Sequence, residues 1–67
     1  MSNINFRLVK AIAGSGLRID EIAPVLGVYD VVLYREINGR ETLSRKKRKE
    51  LAQILGQDEK ELFPQGS

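Results

Sequence analysis

Apolar residues recur at three- and four-residue spacing along most of the chain, and glycines interrupt the pattern between stretches. This spacing lines one face of a helix with apolar side chains, which then pack into a shared core. We expect glycines to end the first four segments, because glycine adopts the left-handed conformation without a Cβ clash. The pattern predicts helices over about 4–13, 19–26, 30–38 and 45–55, and a last helical turn over 58–63. The predicted fold is all-α, with five short helices.

Two local features compete with regular helices. Pro24 lies inside the second predicted segment and lacks a backbone N–H, so we expect a kinked or 3₁₀-like helix over 20–24. Residues 28–34 (VYDVVLY) have a high β-propensity and taken alone could be a strand. The glycines on both sides and the helical register of Leu33 and Ile37 favour a helix there.

The composition indicates one small domain, over 1–67, without metal or redox chemistry. Its 67 residues are 42% apolar, which is enough for a single core near the lower size limit. Cysteine and histidine are absent, and no acidic pair or phosphate-binding loop is spaced for catalysis, so we expect no enzyme and no cofactor. No apolar run approaches the roughly 20 residues that span a membrane, and the first residues lack the layout of a signal peptide. We therefore expect a soluble cytoplasmic protein.

Basic residues are concentrated in one part of the chain, although the net charge is only +2. Between Arg35 and Lys49, seven basic residues accompany two acidic ones, which leaves the rest of the chain with a net charge of −3. A basic segment on a nearly neutral domain favours a polyanionic partner. The run over 45–49 could also serve only to solvate a helix. Arg45, Lys46 and Lys49 recur at roughly helical spacing, so we do not expect the whole run to face one duplex.

Several short motifs occur in order between Leu8 and Phe63. They are Ser15-Gly16-Leu17, Glu21-Ile22-Ala23, Leu26-Gly27-Val28, Leu33, Arg35, Asn38-Gly39, Leu51-Ala52, Ile54-Leu55-Gly56 and Glu61-Leu62-Phe63. With these motifs the chain resembles the phage-repressor-like helix-turn-helix family, that is, lambda repressor, Cro and XRE-type regulators. The resemblance implies a compact five-helix lambda-repressor-like domain, with its helix-turn-helix at about 18–38. From the residues themselves we expect a frayed tail at 64–67. The resemblance also implies a transcription regulator of bacteria or phages, such as a repressor, that binds operator DNA sequence-specifically.

The family's DNA contacts can be carried onto the matching positions of this chain. In the family the third helix reads bases in the major groove, while the second helix contacts phosphate near its first turn. The base-reading residues that the resemblance implies are Asp30, Val31, Tyr34 and Arg35. The phosphate-binding residues that it implies on double-stranded DNA are Arg18, Asn38, Arg40, Arg45 and Lys46.

The chain departs from the family pattern at the start of both central helices. Arg18 stands where a capping threonine or serine is common, and Ile19, which cannot donate to a phosphate, replaces a glutamine. Tyr29 replaces the usual cap of the third helix, and Asp30 and Val31 replace polar or basic readers. Asp30 could accept a hydrogen bond from cytosine N4, although the helix dipole alone favours an aspartate near a helix start.

The other implied base readers also have structural alternatives. Arg35 can bind guanine O6 and N7 through two hydrogen bonds, or it can form an ion pair with Glu36 or Glu41. Val31 could contact a thymine methyl group or be ordinary surface. Tyr34 could bond a phosphate, or its ring could cover core residues with the hydroxyl in water.

A second class of function remains open beside DNA binding. Large apolar or aromatic residues occupy four of six consecutive positions and cannot all point inward: Tyr29, Val31, Val32 and Tyr34. Those left outside could form a protein-interaction or dimerisation surface, with DNA binding weak or lost. For the DNA hypothesis, one small domain recognises only a short half-site. We therefore expect a homodimer, in solution or only on DNA, on two half-sites about one helical turn apart.

Overall fold

The computed structural model describes residues 4–40 and 42–63, and these residues form five α-helices. In chain order the helices are α1 (Phe6–Ser15), α2 (Ile19–Leu26), α3 (Asp30–Ile37), α4 (Arg45–Leu55) and α5 (Glu59–Leu62). No strand occurs within the two described ranges, so the all-α prediction is confirmed and residues 28–34 do not form a strand. The predicted frayed tail at 64–67 lies outside these ranges. No helix in them is long and apolar enough to cross a membrane.

The core is built from all five helices and from the connection between α3 and α4. Its buried apolar members in the described chain are Leu8, Ile22, Ala23, Leu26, Leu33, Leu43, Leu51, Ala52, Leu55, Leu62 and Phe63. Burying each large apolar side chain contributes about 1.5–3 kcal/mol to the free energy of unfolding. Because α1 packs against α3, α4 and α5, distant parts of the chain share this core. Tertiary packing therefore holds these short helices, which would be marginal in isolation.

α1 begins and ends two residues later than the sequence pattern predicts. The Asn5 side chain starts the helix, because it accepts from the Leu8 amide at 3.1 Å and donates to the Leu62 carbonyl at 2.8 Å. The helix then continues through Gly14 and stops at Gly16, whose φ of 76° is left-handed. Helical glycine costs only about 1 kcal/mol relative to alanine, so Gly14 does not end a helix that packs against the core.

Pro24 does not make α2 3₁₀-like, which was one of the two predicted outcomes. The helix is α-helical over all of Ile19–Leu26, so the expected 3₁₀-like segment is wrong. The hydrogen bond that Pro24 cannot donate would end on the Asp20 carbonyl. Both residues are exposed, so water can satisfy that carbonyl and the helix tolerates the proline.

Three residues, Gly27, Val28 and Tyr29, connect α2 to α3. Gly27 has a φ of 81°, which glycine adopts without strain, and its N–H donates to the Ala23 carbonyl at 2.9 Å. Val28 packs against the core, whereas Tyr29 is 82% exposed and precedes α3 without a side-chain capping bond. The short connection places α3 in direct contact with α2.

α3 ends and α4 begins close to where the sequence predicts. Asn38 is the residue that caps the end of α3 rather than its last helical residue, and Gly39 follows with a φ of 91°. Ser44 starts α4, because its hydroxyl oxygen accepts from the Lys47 amide at 3.3 Å. The connection between the two helices is therefore short, and it carries Arg40.

Candidate nucleic-acid interface

α3 is divided into a buried face and an exposed face. Leu33 and Glu36 are buried, and Val32 and Ile37 pack against the core beside them. The exposed residues of the helix are the four predicted base readers, Asp30, Val31, Tyr34 and Arg35. With about 3.6 residues per turn, these four positions span about 140° around the helix axis. The fold thus brings the predicted base-reading side chains together on one solvent-facing side of one helix.

The exposed face of α3 is chemically mixed. Val31 is 48% exposed and Tyr34 is 52% exposed, so about half of each residue remains accessible to solvent. Asp30 lies in the first turn, where the helix dipole favours its charge, and Arg35 lies in the last turn, where the dipole favours a cation. One acceptor, one methyl surface, one phenol and one guanidinium fork are the kinds of group that distinguish base edges in the major groove.

The predicted alternative partner Glu36 does not pair with Arg35. The Glu36 carboxylate accepts from the amides of Thr42 and Leu43 at 3.0 and 2.9 Å, and Arg48 lies 3.4 Å from its second oxygen. Adjacent residues of a helix project in different directions, and here Arg35 points to solvent while Glu36 points inward. The other alternative partner, Glu41, lies outside the described residues.

The basic run at the start of α4 is divided between solvent and the core. Arg45, Lys46 and Lys49 are exposed. Lys47 instead donates through Nζ to the Leu26 carbonyl at 2.6 Å, which places its ammonium at the end of α2. Arg48 is 7% exposed and pairs with a buried carboxylate. Two of the five cations of the run therefore hold the fold, and three face solvent.

The remaining predicted phosphate contacts are also at the surface. The Arg18 side chain is 80% exposed and lies 3.7 Å from the Asp20 carboxylate, an exposed pair of little energetic weight. Asn38 and Arg40 are exposed in the connection after α3. Ile19 packs against the core, which agrees with its inability to bind a phosphate. Every predicted DNA-contacting side chain is therefore accessible to a partner.

The sequence pattern missed the buried charges, although it contained a signal for them. Glu36 lies three residues after Leu33, and Arg48 lies three residues before Leu51, so each falls on the apolar face of its own helix. A charged residue on the buried face of a helix needs an opposite charge or hydrogen-bond partners, because burying an unpaired charge is costly. The structure supplies the pairing: the guanidinium of Arg48 faces the Glu36 carboxylate and also lies 5.1 Å from the ring centroid of Phe63.

Comparison with protein-family models, with curated proteins and with solved structures found no match. Within residues 4–40 and 42–63, no group of three or more histidine, cysteine, aspartate or glutamate side chains is placed to hold a metal ion. What this surface binds has to be inferred from its own side chains and their arrangement.

Proposed function

We propose that the protein is a sequence-specific DNA-binding transcriptional regulator of the phage-repressor type, with a lambda-repressor-like helix-turn-helix formed by α2 and α3. One observation carries the proposal: the four side chains suited to base edges share the exposed face of α3, while the other four residues of that helix are buried or packed against the core. A helix exposed on one side and held by a short connection to its predecessor is the geometry that enters a major groove.

Each residue of the exposed face has a role that its chemistry suits. Arg35 donates two hydrogen bonds to guanine O6 and N7, which is worth about 1–3 kcal/mol of discrimination between base pairs. Val31 contacts a thymine methyl group, and the Tyr34 hydroxyl reaches a phosphate or the edge of the groove. Asp30 stabilises the helix through the dipole and, in the groove, favours a cytosine N4 donor over other groups.

The exposed cations around α3 supply the phosphate contacts. They come from the start of α2, from the connection after α3 and from the start of α4: Arg18, Arg40, Arg45 and Lys46, with Asn38 as a neutral donor. Each neutralised phosphate contributes about −0.9 to the slope of log affinity against log salt, so four cations predict a slope of roughly −3 to −4 for each bound protomer. Useful affinity then requires a symmetric homodimer on two half-sites about one helical turn apart.

The test is fluorescence-anisotropy binding to a randomised duplex pool over a salt series. We expect the wild type to bind with the slope given above and the triple variant Arg40→Ala, Arg45→Ala, Lys46→Ala to lose most of it. The matched control is Arg7→Ala, Lys10→Ala, Lys60→Ala, which removes the same charge from exposed positions of α1 and α5. Equal losses in both triple variants would mean that only net charge matters, and the proposed interface would be wrong.

A specific observation also supports the second function, a protein-interaction or dimerisation module. Tyr29 is 82% exposed, and Val31 and Tyr34 are about half exposed. All three side chains therefore leave apolar surface that a partner protein could cover. Exposed aromatic side chains are typical of protein-binding surfaces. A folded wild type that binds no duplex at low salt would favour this module. Its sedimentation should then show self-association that Tyr29→Ser with Tyr34→Ser abolishes.

A further inference from the structure

Glu36 is the one carboxylate of α3 that points away from the candidate interface, and it is 4% exposed. We propose that Glu36 is a positioning residue for DNA binding: it holds the connection after α3 and the start of α4 at a fixed place relative to the exposed face of α3. The inference rests on the proposed DNA-binding function, since the parts it positions are the phosphate contacts Arg40, Arg45 and Lys46.

The two carboxylate oxygens of Glu36 have different partners. Oε1 accepts from two consecutive amides of the connection, Thr42 at 3.0 Å and Leu43 at 2.9 Å. Oε2 faces Nη2 of Arg48, in the second turn of α4, at 3.4 Å. A single side chain of α3 therefore fixes both the end of the connection and the helix that follows it.

The position of Arg40 follows from these contacts. Its own amide donates to the Arg35 carbonyl at 2.9 Å, and its carbonyl accepts from the Thr42 amide at 3.0 Å. Thr42 is tied to α3 twice more, through Oε1 of Glu36 and through its hydroxyl, which donates to the Val32 carbonyl at 2.8 Å. The backbone of Arg40 is thus held on both sides, and Arg35 and Arg40 have a fixed relative placement.

Glu36 also fixes the start of α4. Leu43, whose amide Glu36 holds, directly precedes the capping residue Ser44. Arg45 and Lys46 follow in the first turn. One turn further along, Arg48 returns to the same carboxylate. The first turn of α4 is therefore fixed at both of its ends to α3.

A stability role alone does not require a carboxylate at this position. Apolar side chains of similar volume can often replace a buried ion pair without loss of stability. An apolar side chain cannot, however, accept hydrogen bonds from two amides of the connection, of which that of Leu43 is buried. The directional contacts to Thr42 and Leu43 are what distinguish Glu36 from an ordinary core residue.

The test compares two double variants that differ only in the acceptor at position 36. Glu36→Gln with Arg48→Met removes the charges but keeps an oxygen that can accept from the amides of Thr42 and Leu43. Glu36→Met with Arg48→Met removes that oxygen at similar volume. Arg40→Ala is then added to each background, and salt-dependent duplex binding is measured at a temperature where circular dichroism shows both proteins folded.

In the background with glutamine, Arg40→Ala should reduce the magnitude of the salt slope by about 1, as expected for one lost phosphate contact. In the background with methionine it should change the slope little, because Arg40 is already displaced. Arg18→Ala, at the start of α2, should reduce the slope equally in both backgrounds. Equal effects of Arg40→Ala in both backgrounds would overturn the positioning role, because a purely structural Glu36 leaves the two contributions additive.

If the methionine variant does not fold, amide hydrogen exchange on the wild type tests the hydrogen bonds that Glu36 accepts. The amides of Thr42 and Leu43 should exchange many times more slowly than in an unfolded chain. Unprotected amides would show that Glu36 does not hold the connection. A wild type that binds no duplex at all would overturn the proposed function and, with it, the role in DNA binding. Binding with additive effects would overturn only the role of Glu36.

Discussion

α3 and α4 each bury one face that includes a charged residue, Glu36 in α3 and Arg48 in α4, and each exposes the opposite face to solvent. The buried faces are alike, since the two charges meet each other at 3.4 Å. The exposed faces differ. α4 presents several long flexible cations, whereas α3 presents one cation among an acidic, an aliphatic and an aromatic side chain.

This difference separates two contributions to DNA binding under the proposed function. Long cations attract any phosphate, so the face of α4 contributes affinity without sequence preference. Preference among base pairs has to come from α3, whose exposed face carries a single cation, Arg35. Substitutions at the buried charges test how the two helices are held, and substitutions at the exposed faces test what each helix contributes to binding.

The largest effect is expected at the buried charges. Glu36→Ala removes the buried carboxylate that faces Arg48 and accepts from the amides of Thr42 and Leu43, which should lower the free energy of unfolding by about 3–5 kcal/mol. Urea denaturation followed by circular dichroism measures the loss. The matched control is Glu50→Ala, which removes the more exposed pair with Lys47 at 3.4 Å and should cost at most about 1 kcal/mol. If Glu36→Ala cost no more than Glu50→Ala, the two helices would not be held by this contact.

The helices themselves could be predicted from the sequence because apolar periodicity and capping residues are local signals. Ser44 caps the start of α4 and Gly39 follows the end of α3 with a left-handed φ, both close to the predicted boundaries. Leu33 and Leu51 lie on the buried faces of these helices. The start of α1 was defined less sharply, because the sequence offers both Asn3 and Asn5 as caps. Its cap, Asn5, is also held by the Leu62 carbonyl, a residue distant in the sequence that is brought near only by the fold.

The candidate interface was predictable in part for a related reason. Helical spacing alone separates Arg45 and Lys46 from Arg48, since the last lies in register with Leu51. The partner of Arg48 was not predictable, because it depends on how the whole fold places α3 relative to α4. Glu36 was therefore considered as a partner of its neighbour Arg35, although it pairs across helices.

A smaller effect should distinguish the exposed faces of α3 and α4. Arg35→Ala should remove about 1–3 kcal/mol of discrimination at one base pair, while Lys46→Ala should weaken binding to all duplexes alike and reduce the salt slope by about 1. Selection from a randomised duplex pool, followed by anisotropy on the selected duplexes, measures both. The assignment of base preference to α3 and of sequence-independent affinity to α4 would be wrong if Arg35→Ala kept the wild-type base preference or if Lys46→Ala changed it.

The smallest effect is expected at Asp30, the acidic residue on the exposed face of α3. Asp30→Asn removes a favourable interaction with the helix dipole, so the free energy of unfolding should fall by about 0.3–1 kcal/mol. Binding to the duplex pool should nevertheless become tighter, because the repulsion between a carboxylate and the phosphates is lost, and the gain should shrink as salt is added. The matched control is Glu61→Gln, which removes the same charge from an exposed position in the first turn of α5. Should Asp30→Asn weaken binding to the pool while Glu61→Gln does not, the gain from the contact between Asp30 and cytosine would exceed the repulsion from the phosphates, and α3 would then contribute more affinity than its single cation suggests.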